Sequence, residues 1–225
     1  MTASDSGPQR PRRPRERLTG PQRETQLLDM AEMLFSEHGY EGVTVDNIAQ
    51  AAGVSRAIVY QHHGTKDQVF IACVRRARAQ FEAAILEKVA TPSDDWRSRI
   101  EAGGAVYLDL VATNPQRWGL LFTTSASLRG DLADELTALR KGTITAIANS
   151  LRPYAPDVRR EALMAISYAL SGIGEQLCRW WLSNPRISRT RVLAYYTAAV
   201  EGAINGILAT PHVRPAAPSS TTPGR

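Results

Sequence analysis

Apolar side chains recur three and four residues apart along most of this chain. Leu27, Ala31, Leu34, Phe35 and His38 do so in an early segment, and Leu163, Ile166, Leu170, Ile173, Leu177 and Trp180 in a late one. This spacing gathers them on one face of a helix, and no stretch shows the alternation of a half-buried strand. The pattern predicts an all-α chain of about nine helices, near 23–38, 45–52, 55–63, 66–90, 94–113, 115–123, 128–151, 157–182 and 189–209. The first three are short and joined by tight turns, whereas the later ones are long and amphipathic. The expected architecture is therefore a small N-terminal module on a larger helical body, without internal repeats.

Several helix ends have a chemical cause. Thr65 and Gln68 match a capping box, Asn114 before Pro115 reads as a cap followed by a first-turn proline, and Pro153 and Pro156 separate the seventh helix from the eighth. At the chain ends the helical pattern stops. Residues 1–21 hold four prolines and five arginines with Leu18 as their one aliphatic side chain, and the last fifteen hold four more prolines among serines and threonines. Such composition does not bury enough apolar surface to offset the entropy of ordering, so a basic arm over 1–21 and a tail over 211–225 are expected to be disordered. Between them lie a module at 22–66 and a body at 67–210.

At 225 residues the chain is long enough for ample core without a disulfide or metal staple. Its longest uncharged run, Ala162 to Gly174, is shorter than the roughly 18 residues of a membrane span. No apolar stretch follows the first arginines as in a secretory signal, and Cys73 and Cys178 stand far apart. A cytoplasmic protein without a membrane role is expected. The net charge of +5 invites a nucleic-acid reading, but residues 1–66 carry as many acidic as basic side chains. Placement of a few cations, not overall basicity, must therefore carry any DNA contact.

The informative window runs from Thr44 to Tyr60, TVDNIAQAAGVSRAIVY. Ala49 is small where two helices would cross, Gly53 can take positive φ in the turn between them, and Val45, Ile48 and Val59 form a buried face. These are the requirements of a helix-turn-helix. Ser55 is the expected N-cap of its second helix, with its hydroxyl on an orphan backbone N–H. If Val59 points inward, Ala57, Tyr60 and Gln61 lie on the opposite surface beside Arg56. Arg56 suits guanine O6 and N7, Ala57 suits a thymine methyl, and Tyr60, His62 and Lys66 suit phosphates. Helix pairs that merely pack also use Ala, Gly and Val at these spacings.

The stretch Ala31 to Ser55, AEMLFSEHGYEGVTVDNIAQAAGVS, followed by Val59-Tyr60 and Thr65-Lys66-Asp67, resembles the TetR family of transcriptional regulators over about residues 23–72. The resemblance implies an all-helical dimer in which helices one to three bind DNA, helices four to seven enclose a ligand pocket, and the last two pair the subunits. It also implies phosphate contacts from Thr44, Ser55, Tyr60, His62 and Lys66, with Arg56 and Ala57 reading bases. Two positions depart from the family pattern: Ala57 stands where glycine is frequent, and His63 replaces the usual phenylalanine. A histidine at that inner position needs a hydrogen-bond partner or partial exposure.

The body matches no chemical motif. It lacks a phosphate-binding glycine loop, a nucleophile elbow and a zinc-protease signature, and adjacent His62 and His63 face different directions on a helix. No catalytic activity, metal or cofactor is expected. Tyr107, Trp118, Phe122 and Tyr168 are candidate walls of an apolar ligand pocket, with core packing as the alternative for each. Glu175, Gln176 and Arg179 could orient a polar ligand group, or face solvent or a second subunit. Ala194, Ala198, Gly202 and Gly206 form a row of small residues that lets another helix approach closely, within or between subunits. With the stripe Leu170, Ile173 and Leu177 it makes a candidate dimer interface.

The expected function is sequence-specific regulation of transcription: a homodimeric repressor on a palindromic double-stranded operator, released by an unidentified small-molecule effector. The alternative is a helical small-molecule-binding protein or enzyme with a vestigial DNA module.

Overall fold

The computed structural model describes residues 18–89, 96–121, 128 and 130–210, with only the backbone at 88 and 89. Residues 1–17 of the expected arm, the tail expected after 210 and Phe122 lie outside them. Among the described residues the regular structure is helical: α1 (Gly20–His38), α2 (Val45–Ala52), α3 (Arg56–His63), α4 (Lys66–Val89), α5 (Trp96–Thr113), α6 (Pro115–Leu121), α7 (Asp131–Leu151), α8 (Arg160–Leu182) and α9 (Arg189–Leu208), with a 3₁₀ turn at Arg152–Tyr154.

Local chemistry accounts for the ends. α1 starts at Gly20, inside the expected arm, because Thr19 and Gln22 form a reciprocal capping box with Pro21 in the first turn. Thr44 and Asn47 close a second box at α2. The Asn114 side chain accepts from the Arg117 N–H at 2.9 Å and caps α6. Gly53 ends α2 at φ 64°, a left-handed conformation that leads directly into the next helix. Ser55 departs from its expected role: it stands at the N-cap position of α3, but its hydroxyl caps no backbone N–H.

One core joins the module to the body. Leu27, Ala31 and Phe35 of α1, Ile48 of α2 and Val59 of α3 pack with Val69, Phe70 and Val74 of α4, Leu120 of α6 and Leu132 and Leu136 of α7. Phe35 and Phe70 meet edge to face at 4.9 Å. Fully burying each such side chain stabilises the fold by about 1.5–3 kcal/mol, so α4 is held to the module by apolar contact along its first turns. The division expected at 66/67 falls within this core. A second core, Tyr107, Leu108, Val111, Trp118, Cys178 and Val192, joins α5, α6, α8 and α9. There Gly104 allows α9 to approach, since a Cβ at that position would lie 2.6 Å from the Tyr196 ring.

Polar side chains add a third link. Glu32 of α1 is buried and accepts from Arg76 of α4 at 2.8 Å, while the Arg117 guanidinium of α6 pairs with it at 3.1 Å. A carboxylate out of water is tolerated only with such partners.

Candidate nucleic-acid interface

The turn at Gly53 sets α2 against α3 so that Val59 is 1% exposed while Arg56, Ala57, Tyr60 and Gln61 face outward. Thr44 and Ser55 are exposed at the starts of the two helices, and His62 is half-buried at the end of α3. Seven side chains singled out from sequence thus lie on or beside one helix pair. Their electrostatics are more tightly arranged than sequence conveys. Arg56 Nε and Asp46 Oδ1 form an ion pair at 2.9 Å across the α2–α3 turn, with both side chains open to solvent. Its guanidinium is held above its ordinary pKa, first by a hydrogen bond to the Tyr60 side chain and then by the Asp46 charge.

Lys66 is anchored rather than free: its Nζ donates to the Tyr40 carbonyl at 3.2 Å and lies 3.9 Å above the Tyr40 ring. The Tyr40 hydroxyl donates in turn to Asp67, and its pKa is raised mainly by burial and then by that carboxylate. The start of α4 and the α1–α2 connection therefore form one unit beneath the recognition helix.

His63 is half-buried, and its Nε2 is enclosed without a hydrogen-bond partner. Burial lowers its pKa; Glu24 works against that shift and His62 with it. Of the two conditions expected for this histidine, partial exposure holds and partnering at Nε2 does not.

The candidate pocket residues separate. Tyr107 and Trp118 are buried together, with the indole N–H donating to the phenol at 3.2 Å, and they pack with Phe81 and Tyr196. Tyr168 is 53% exposed, which removes it from any interior pocket. It follows the buried Ile166 and Ser167 on α8, and one further residue turns a helix about 100° away from that face. Glu175 is buried and accepts from Arg140 and from Arg179, so its carboxylate is already committed, while Gln176 is exposed. A groove of about 400 Å³ opens instead between α4 and α7, lined by Arg75, Arg78, Ala79, Glu82, Glu135, Leu139 and Thr143 among others. None of its lining residues is aromatic, so no aromatic stripe marks it in the sequence.

On the far side of the body, Leu170, Ile173 and Leu177 are half-buried, and Ala194, Ala198, Gly202 and Gly206 are exposed. A Cβ added at Gly202 or Gly206 would meet nothing within 4 Å, so no described part of this chain packs on that row. Cys73 and Cys178 are buried free thiols, each pushed up to about 12 chiefly by burial. Among the described residues no group of three or more metal-binding side chains converges, and no helix is long and apolar enough to cross a membrane.

A short helix pair crossing at a left-handed glycine, with an arginine exposed at the start of the second helix, defines a helix-turn-helix regulator of the kind that reads DNA in the major groove. Residues 27–73 match the family described as bacterial regulatory proteins, tetR family. Over 189 residues the chain is 26% identical to the HTH-type transcriptional activator FasR of Mycolicibacterium smegmatis, covering 82% of this chain and 85% of that protein. Over 62 residues it is 37% identical to the HTH-type transcriptional repressor AcnR of Corynebacterium efficiens, covering 28% of this chain and 33% of that protein. The fold is similar to that of AibR, solved in complex with isovaleryl coenzyme A and operator DNA, with 20% identity and a TM-score of 0.61 over 78% of this chain and 96% of that one. Residues 27–73 thus carry a DNA-binding domain of the tetR family, on a chain whose relatives are transcriptional regulators.

Proposed function

We propose that this regulator is a dimeric repressor that occupies a palindromic operator and leaves it when a small-molecule effector binds the body. The observation that carries the reading is the outward face of α3, where Arg56 is exposed and paired with Asp46 while Val59 anchors the helix from behind. Arg56 and Ala57 read base edges; Thr44, Ser55, Tyr60, His62 and Lys66 hold phosphates. The open row Ala198, Gly202 and Gly206 with Leu170, Ile173 and Leu177 supports pairing of α8 and α9 with a second copy. That pairing sets two recognition helices about 34–36 Å apart, one turn of DNA.

The groove between α4 and α7 is the effector site we favour among the described residues, because its volume lies in the range of ligand sites and α4 forms one wall. An effector that prefers a body conformation with the wrong helix spacing lowers DNA affinity, and DNA must lower effector affinity by the same factor. AibR, a protein of the same fold, was solved in complex with both isovaleryl coenzyme A and operator DNA, which supports a body that takes a small molecule beside a DNA-binding module. Among the described residues no set points to catalysis, and a DNA ligand fits a cytoplasmic protein.

Repression follows the role of AcnR, which resembles the DNA-binding module, whereas FasR, similar over most of the chain, is an activator. Activation is therefore the second reading. A gel shift of the full-length protein on the DNA upstream of its own coding sequence tests binding, and transcription from that fragment with and without the protein gives the sign. Discrete, competitor-resistant complexes and lower transcript support repression; weak, salt-sensitive, sequence-independent association removes the DNA-reading function altogether.

A further inference from the structure

Arg78 of α4 is a half-buried cation on the wall of the groove between α4 and α7. A guanidinium carries five N–H donors and stays charged in proteins, so burying it calls for acceptors and a counter-charge. Both acceptors that Arg78 has are neutral: Nη1 donates to the Thr143 hydroxyl of α7, and Nη2 to the Leu121 carbonyl of α6 at 3.4 Å. Its Nε has none among the described residues. Glu82, one turn further along α4, acts on it across the Thr143 hydroxyl, which donates to that carboxylate at 2.5 Å. The other carboxylate on the groove is engaged, since Glu135 pairs with Arg75. Burial pushes the Arg78 pKa down; Glu82 opposes that shift, and Arg140, which shares Glu175 with Arg179, adds to it.

We propose that the groove binds an organic anion, with a carboxylate or phosphate head at Arg78 and its carbon skeleton against Ala79, Ala138 and Leu139. This rests on the reading of the groove as the effector site. The anion supplies the counter-charge that Arg78 lacks, and a charge-assisted bond is stronger where water is partly excluded. The position also suits coupling to DNA. Arg78 is bonded to α6 at Leu121, while Arg76, two residues earlier on α4, and Arg117 of α6 hold Glu32 of α1. A head group that draws the Arg78 guanidinium into the groove therefore acts on the two helices whose arginines keep α1 in place.

The test is calorimetric titration of the full-length protein with four six-carbon compounds that differ in the head: hexanoate, hexyl phosphate, hexanamide and hexylamine. Wild type should bind at least one anion tenfold or more tightly than the amide and the amine; hexanoate alone marks a carboxylate site, hexyl phosphate alone a phosphate site. Arg78→Met should weaken the anions on the order of tenfold to a hundredfold and leave the amide unchanged. Arg78→Lys should keep the preference for anions, and Glu82→Gln, which removes a like charge, should tighten them several-fold. Glu82→Gln carries the test if Arg78→Met does not fold, and weaker anion binding in it would overturn the proposal. Amide or amine binding equal to the anions, anion binding that survives Arg78→Met, or no binding by any of the four would also overturn it. A gel shift on the upstream DNA separates this from the effector reading: anions that bind through Arg78 without lowering DNA affinity keep the anion site and remove its effector role.

Discussion

Arg117 of α6 and Glu32 of α1 form an ion pair at 3.1 Å, and Arg76 of α4 closes the same carboxylate from the other side. One buried acid thereby joins the DNA module, the connecting helix and the body. Displacement of α6 or α4 would unseat a carboxylate that has no other means of staying buried, so α1 must follow or lose its partner. Glu32→Ala leaves Arg76 and Arg117 facing each other without the shared charge. Removing one partner of a buried pair costs about 3–5 kcal/mol, and the partial exposure of both arginine heads places this case near the lower end. Chemical denaturation with hydrogen exchange along α1 checks it; unchanged midpoint and protection would show the network to be incidental.

His63 has a lowered pKa, so the folded chain resists a proton that the unfolded chain accepts near the ordinary value of 6.5. The unfolded state then binds more protons as acidity rises, and the stability contributed by neutral His63 is lost as pH falls from about 6.5. His63→Phe removes the orphaned Nε2 and should raise stability at pH 7 by about 1 kcal/mol, with a flatter dependence below pH 6.5. Melting temperatures from pH 5 to 8 for the two proteins measure both effects.

Gly202 and Gly206 are open to solvent on α9, and glycine inside a helix costs about 0.5–1 kcal/mol relative to alanine. Gly202→Leu should therefore leave the fold intact and convert a dimer to a monomer in sedimentation equilibrium. A variant that remains fully dimeric would place subunit contact on a different surface.

Lys66 lies against the Tyr40 ring and carbonyl, which holds its charge near the recognition helix. Lys66→Ala should weaken DNA binding for all sequences alike and reduce the slope of log K against log salt by roughly one unit for each half-site. A slope equal to wild type would mean that the ammonium serves Tyr40 alone.

The helical text was legible because amphipathic spacing and named breakers act locally. Asn114-Pro115 marks the start of α6, and Gly53 the turn of the helix pair. α1 was placed late because Thr19-Gly20-Pro21 reads as the end of a proline-rich arm until the pairing of Thr19 with Gln22 is recognised as a cap. Tyr168 was misplaced by one helical step, since periodicity tolerates such an error more easily than packing does. Glu32 does carry a sequence signal: a charge on the same stripe as Leu28, Ala31 and Phe35 needs a partner. The ion pair between Asp46 and Arg56 has no sequence signal, because ten positions and a turn separate them and only the crossing of α2 with α3 brings them together.

The central claim is that α3, through Arg56, reads DNA from a two-fold dimer. Hydroxyl-radical footprinting of the full-length protein on its upstream DNA tests it most directly, with Arg56→Ala alongside. The account predicts two protected patches related by a dyad and centred one helical turn apart, about 34–36 Å, that vanish in the variant at concentrations where wild type saturates the site. Diffuse protection that is the same for both proteins would contradict it.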